Sequence, residues 1–165
     1  MKTRDWLEAV VGCLSLLFCT FAMAACAANQ GIVMHSFAFD AIQDSPDIQI
    51  LNYRYGNSKS PAARPPDWAI QENRVQQGTG TTGEMLRGDD LYVKWRIKST
   101  GIVHEDTVDL RSRLPENIKD HEIYFIVRGA QLYVYLISPE RRPPEMPPNG
   151  PRHTQYRKTI TLYPG

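Results

Sequence analysis

The sequence predicts a mainly β fold: a single small antiparallel β-sandwich or open barrel, built from hairpins and with little helix, behind an N-terminal hydrophobic signal segment. Short apolar stretches of strand length recur beyond residue 33, several of them with a period of two. The 11 glycines and 12 prolines are typical of a turn-rich chain. Hydrophobic residues make up 42% and charged residues 22% of the 165 residues, which indicates a globular domain.

Residues 1–25 predict a secretory signal peptide of lipoprotein type. A short basic start precedes an almost continuous apolar run that ends in small residues. The tetrapeptide MAAC, which ends at Cys26, resembles a bacterial lipobox, and lipid on Cys26 would hold the chain on a membrane. Two alternatives stay open: a soluble periplasmic protein after cleavage, and retention of residues 9–28 as a membrane anchor.

All three cysteines lie within the first 26 residues. The predicted organisation is the signal peptide at 1–25, a tether at 26–33 and a β-domain at 34–165. That β-domain contains no disulfide, no thiol nucleophile and no cysteine metal ligand.

The β-domain begins with two predicted strands, at residues 34–42 and 48–55, separated by the turn sequence DSPD. A polar loop at 56–67 follows, and Trp68 is expected to plug the edge of the domain. Helical turns are expected only around residues 67–73 and 115–119.

Residues 91–98, LYVKWRIK, are the clearest strand in the chain. Every second residue is apolar and predicted to face the core. The outward row is Tyr92, Lys94, Arg96 and Lys98. Residues 103–110 are rich in acids and predict the returning strand of a hairpin, because basic and acidic strands form favourable cross-strand pairs.

A second hairpin is predicted from residues 122–127 and 131–138. Both strands are apolar on both faces, so we expect them to lie centrally and to be covered on two sides. We expect Tyr124, Tyr133 and Tyr135 to line one face together.

Residues 139–151 contain six prolines and predict an extended, polyproline-like loop. Residues 154–163 predict the last strand. The total is about six to eight strands in an antiparallel meander.

Recognisable catalytic or metal motifs are not found beyond the leader. The G-x-G-x-x-G at 78–83 is followed by a turn and a strand, so a loop or small-residue edge strand is expected there rather than a dinucleotide site. His104 and Asp106 share one strand face but have no evident third metal ligand. The sequence predicts no catalytic residue, no metal and no cofactor.

Lys and Arg total 19 against 18 Asp and Glu, a net charge of +1 that argues against a nucleic-acid binder. Surfaces for a protein partner are predicted instead on the outward row and around the proline-rich loop, whose stiffness lowers the entropic cost of docking. The predicted contact residues are Lys94, Arg96, Lys98, Arg141, Arg142, Arg152 and Tyr156.

Four short sequences between residues 91 and 144 carry a family resemblance: VKWR at 93–96, DTVDL at 106–110, LP at 114–115 and LYVYL at 132–136. The segment resembles a group of small uncharacterised proteobacterial lipoproteins, some of which are encoded beside type VI secretion genes. The resemblance implies a periplasm-facing accessory protein, or an immunity protein that neutralises a secreted toxin.

The expected function is therefore that of a lipid-anchored, periplasm-facing protein with a non-enzymatic, protein-binding β-domain. Two alternatives stay open: a structural or ligand-binding lipoprotein of the cell envelope, and a hydrolase whose site is not recognisable from sequence.

Overall fold

The structure, a computed structural model, describes residues 31–165, which form one compact unit. Its strands are β1 (Ile32–Asp40), β2 (Ile48–Tyr55), β3 (Gly78–Leu86), β4 (Asp90–Ile97), β5 (Val103–Asp109), β6 (Glu122–Arg128), β7 (Gln131–Arg141) and β8 (Arg157–Tyr163). The α-helices are α1 (Ala41–Asp44) and α2 (Asp67–Gln71), and single 3₁₀ turns cover Pro61–Ala63 and Arg152–Thr154. None of the helices in this part of the chain has the length and apolarity needed to span a membrane.

The prediction of a mainly β fold is confirmed. The strands form a five-stranded sheet in the order β3-β1-β6-β7-β8 and a three-stranded sheet in the order β2-β4-β5, and within residues 31–165 no barrel closes. The arrangement is therefore sandwich-like. The predicted hairpins β4–β5 and β6–β7 are both present.

The predicted antiparallel meander is wrong in one respect: β1 and β6 pair in parallel, with Phe37 opposite Ile123. After β1 the chain forms β2 in the three-stranded sheet and returns to the five-stranded sheet as β3, on the other side of β1. It then adds β4 and β5 to the three-stranded sheet before it comes back as β6. Parallel neighbours require such a long crossover, whereas the predicted meander assumed short connections.

Aromatic residues from both sheets fill the space between them. Phe37 of β1 stacks on Tyr55 of β2 with ring centroids 5.0 Å apart, and Phe39 lies 4.9 Å from Tyr53. Trp95 of β4 donates its indole N–H to the carbonyl of Gly129 in the β6–β7 turn, at 3.0 Å. Because each fully buried large apolar side chain contributes about 1.5–3 kcal/mol, these contacts hold the two sheets together.

A buried polar cluster lies beside the aromatic residues. His35 Nε2 is 3.0 Å from the Tyr55 hydroxyl, which also accepts a hydrogen bond from the Gly88 amide. Burial lowers the pKa of His35 and raises that of Tyr55. Both rings are therefore held neutral in the core.

The outer face of the central strands is covered too, as predicted. Tyr124, Tyr133 and Tyr135 belong to a second apolar cluster on that face. Tyr124 donates to Asp44 at 2.9 Å, and the His153 ring lies 5.4 Å from the Tyr124 ring. The end of the proline-rich segment therefore folds back over the sheet.

Three predicted local elements differ from the observed ones. β1 ends at Asp40 rather than residue 42, because the Asp40 carboxylate caps α1 by accepting from Ile42 and Gln43. Residues 115–119 are not helical, whereas α2 forms where a helical turn was expected. Strand β8 begins at Arg157 rather than residue 154, because a 3₁₀ turn occupies Arg152–Thr154.

Candidate functional site: an arginine cleft at the start of β8

The outward cations of β4 were the first predicted contact surface, and the structure pairs each of them within the chain. Lys94 lies 3.3 Å from Glu105 of β5, and Arg96 donates to the Gln49 side chain of β2 at 3.0 Å. Lys98, just beyond the end of β4, donates to the Pro46 carbonyl at 2.8 Å. We refer to these three cations as the β4 row.

The second predicted surface contains a cleft of about 660 Å³, where β7 ends and β8 begins. Its lining residues are Pro139, Arg141, Arg142, Pro144, Tyr156 and Arg157. We call this feature the arginine cleft. Three of the four contact residues predicted near the proline-rich loop therefore come together.

The fourth, Arg152, does not line the cleft. It is exposed on the 3₁₀ turn at Arg152–Thr154, and its backbone N–H lies 3.5 Å from the Asp44 carboxylate. Arg157, which was outside the predicted contact set, takes its place.

The cleft forms where the chain leaves β7, runs through the proline-rich segment and pairs with β7 again as β8. Strand pairing is interrupted between Ile137 and Arg141, where Pro139 has no N–H to donate. Pairing resumes with Arg141 directly opposite Arg157. The segment between the two arginines projects as the wall of the cleft.

Arg142 fixes that wall. Its Nε donates to the Gln155 carbonyl at 2.7 Å, its Nη1 donates to the Met146 carbonyl, and its backbone N–H donates to the Tyr156 carbonyl at 2.9 Å. A charged guanidinium that binds two carbonyls is a strong clamp. Arg142 therefore holds the cleft in shape.

Gly150 allows the rest of the proline-rich segment to pack closely against the sheet. Its φ is +81°, and a Cβ at this position would lie 2.9 Å from the Thr159 methyl group. Nearby, the Asn149 side chain donates to the Thr161 hydroxyl at 2.8 Å. The segment is therefore pinned at both ends despite its proline content.

The two facing arginines leave positive charge uncompensated. The Arg141 side chain is exposed and forms no ion pair or hydrogen bond with any residue in the described part of the chain. Among residues 31–165, the only carboxylate within 4.0 Å of Arg157 is that of Glu122, at 3.9 Å, and burial raises the pKa of Glu122. Like charges directly opposite each other on neighbouring strands are destabilising. This arginine pair therefore lowers the stability of the fold, and a bound anion would offset that loss.

Tyr156 completes the cleft. Its side chain is 63% exposed, and the Arg157 guanidinium lies 5.9 Å from its ring centroid. An exposed tyrosine beside free guanidinium groups can contact an anionic group and an apolar neighbour at once. The arrangement is suited to holding a carboxylate or phosphate between the arginines.

The structure also places the other motifs and residues that the sequence analysis singled out. The glycine motif forms β3, an edge strand, as the sequence predicted. His104 and Asp106 both face inward, where the His104 ring stacks on Trp95 and Asp106 raises the pKa of the Tyr163 hydroxyl by hydrogen bonding. Residues 31–165 contain no group of three ligands able to hold a metal ion. Cys26 lies outside the described residues.

The fold and cleft define a class: a mainly β, two-sheet protein with a cationic cleft at one sheet edge. The chain matches no family model, no curated protein and no solved structure.

Proposed function

We propose that this chain is a protein-binding domain that receives an acidic segment of another protein in its arginine cleft. The observation that carries the proposal is the pair of Arg141 and Arg157, which face each other across β7 and β8. Within residues 31–165, the Arg141 side chain has no carboxylate within 4.0 Å, and Arg157 has only Glu122, at 3.9 Å. Guanidinium groups bind carboxylates bidentately, so an acidic side chain or a chain terminus fits between them.

The rigidity of the cleft supports the same proposal. The clamp made by Arg142 and the docking of residues 149–153 on the sheet order the wall before any partner arrives. A surface that is already ordered loses little conformational entropy on binding.

The cellular setting is part of the proposal. The leader favours export with a lipid on Cys26, so that the domain faces the periplasm. The resemblance over residues 91–144 makes a secretion accessory or immunity protein, with a secreted toxin as partner, the most concrete form of this function.

Photo-crosslinking in intact cells tests the proposal. A photoreactive phenylalanine analogue replaces Tyr156 in the cleft or, as the matched control, Tyr92 beside the β4 row. We expect one protein to be captured from position 156 and not from position 92, and purified partner to bind more weakly as salt rises. Capture from position 92 alone, or binding insensitive to salt, would contradict the proposal.

A further inference from the structure

A second concave site lies on another part of the domain, beside α2. It is a hollow of about 270 Å³, bounded by Pro61, Pro65, Trp68, Gln76 and Thr79, with Arg74 at its rim. This volume is near the lower end of those found for ligand pockets and suits one ring-sized group. The arginine cleft shares none of these residues.

Trp68 does not plug the edge of the domain, as the sequence suggested, but is 55% exposed at this hollow. Two of the lining residues, Tyr53 and Ala69, are buried, and so is the neighbouring Ala63. Prolines precede α2, the Ala69 amide donates to the Pro66 carbonyl at 3.0 Å, and Arg64 pairs with Asp67 at 2.7 Å. The indole is therefore a large aromatic surface on a rigid support.

The lining also includes polar side chains, and two neighbouring glutamines show which amide is available to a ligand. The Gln77 side-chain amide is fully used within the fold: it accepts from the Ile50 backbone N–H and donates to the carbonyls of Ile50 and Val75. Gln76 is exposed at the hollow and forms no hydrogen bond with the described residues. Its amide presents both a donor and an acceptor.

The charges around the hollow cancel. Arg64 pairs with Asp67, and Arg74 lies 3.4 Å from Glu72. Among the described residues, the two arginines near this hollow are thus already paired with carboxylates, so an anionic ligand such as a nucleotide is favoured less here than in the arginine cleft. A neutral ligand fits the site better.

We propose that this hollow binds one pyranose ring of a neutral saccharide. A pyranose has an apolar C–H face that can lie on the Trp68 indole, and hydroxyl groups at its edge that can bond to the Gln76 amide and the Arg74 guanidinium. The lining of the hollow combines an exposed aromatic ring with a free amide, and these match the two kinds of surface on the sugar ring.

The test is an NMR titration of the full chain in detergent with cellotriose and chitotriose, following the indole N–H signals. The Trp68→Phe variant assigns the Trp68 signal. We expect either trisaccharide to shift that signal. Backbone amide signals followed in the same titration give the affinities of the variants, and we expect Trp68→Ala to bind about tenfold more weakly and Gln76→Ala about threefold more weakly. Because Trp68 and Gln76 are exposed, we expect both variants to fold, which circular dichroism checks.

The matched control is Tyr156→Ala, which alters the arginine cleft and should leave saccharide binding unchanged. The saccharide proposal is overturned if neither trisaccharide shifts the Trp68 signal, or if Trp68→Ala binds as well as the unaltered chain. It is equally overturned if hexaproline peptide or adenosine binds at Trp68 and the saccharides do not. None of these results bears on the arginine cleft.

Discussion

Two surfaces of this domain carry similar cations in opposite electrostatic situations. In the β4 row, Lys94 and Arg96 lie between two neighbouring strands whose side chains satisfy them. In the arginine cleft, Arg141 and Arg157 face each other at the sheet edge, and the one carboxylate of residues 31–165 within 4.0 Å of Arg157 is 3.9 Å away. The difference shows that position within a sheet, rather than the number of cations, decides which surface is left to bind an anion.

Reversing charge in the cleft should have the largest effect. We expect the double variant Arg141→Glu/Arg157→Glu to weaken binding of the purified partner by about thirtyfold or more, or about 2 kcal/mol. Lys94→Glu should change it by no more than about twofold, because that surface is outside the proposed contact. Isothermal titration calorimetry measures both constants.

Two stability measurements accompany that prediction: the double variant must remain folded by circular dichroism, and the single variant Arg141→Glu tests whether Arg141 itself supports the fold. A glutamate at position 141 would face Arg157 and replace a like-charge pair with an opposite-charge pair, so the free energy of unfolding should stay the same or rise. Lower stability in urea denaturation would mean that Arg141 supports the fold, and the loss of binding would then need another explanation.

Removing the clamp should have the next largest effect. Arg142→Ala deletes two guanidinium hydrogen bonds to the Gln155 and Met146 carbonyls, so we expect a loss of about 1–2 kcal/mol in the free energy of unfolding. Hydrogen exchange should speed up across residues 142–156. Arg96→Ala, which loses one side-chain bond to Gln49, is the matched variant and should lose less. Equal losses would mean that Arg142 is no more structural than Arg96.

A smaller gain in binding should follow from Glu122→Gln. Glu122 is the only carboxylate within 4.0 Å of Arg157 in residues 31–165, and the amide keeps its shape while removing its charge. With that competitor gone, we expect the acidic partner to bind roughly two- to fivefold more tightly. The matched control is Glu140→Gln, which releases Lys158 instead and should leave affinity unchanged. Weaker binding by Glu122→Gln would show that Glu122 orients Arg157 rather than competing for it.

The contrast also explains what sequence reasoning could and could not find. The alternation in LYVKWRIK and the acidic sequence after it were enough to predict the β4–β5 hairpin and the pairing of a basic with an acidic strand, because both depend on near neighbours in the chain. Lys94 and Glu105 are one such pair in the structure. The arginines around the proline-rich loop could be named as a group for the same reason.

The long-range strand pairings could not be predicted from local sequence patterns. The parallel contact of β1 with β6 depends on a crossover through the other sheet, and no local pattern encodes it. The meeting of Arg141 with Arg157 depends on a register that shifts at Pro139. For Trp68, apolarity predicted burial, but two small neighbours, Ala63 and Ala69, fill the edge of the core instead.

The smallest expected effect concerns the β4 row itself. Lys94 and Glu105 lie 3.3 Å apart on the exposed face of the hairpin, and the Tyr92 hydroxyl also donates to Glu105. Hydrogen bonds from Tyr92 and Lys94 lower the pKa of Glu105, but water and salt screen such an exposed pair. We therefore expect Lys94→Ala to leave the urea midpoint unchanged within error. We expect the same of Tyr92→Phe, which removes the other hydrogen bond to Glu105. If Lys94→Ala lowered the midpoint as far as Arg142→Ala does, the β4 row would stabilise the fold as much as the clamp does. The contrast between the two surfaces would then depend only on Arg141, whose side chain has no ion pair within residues 31–165.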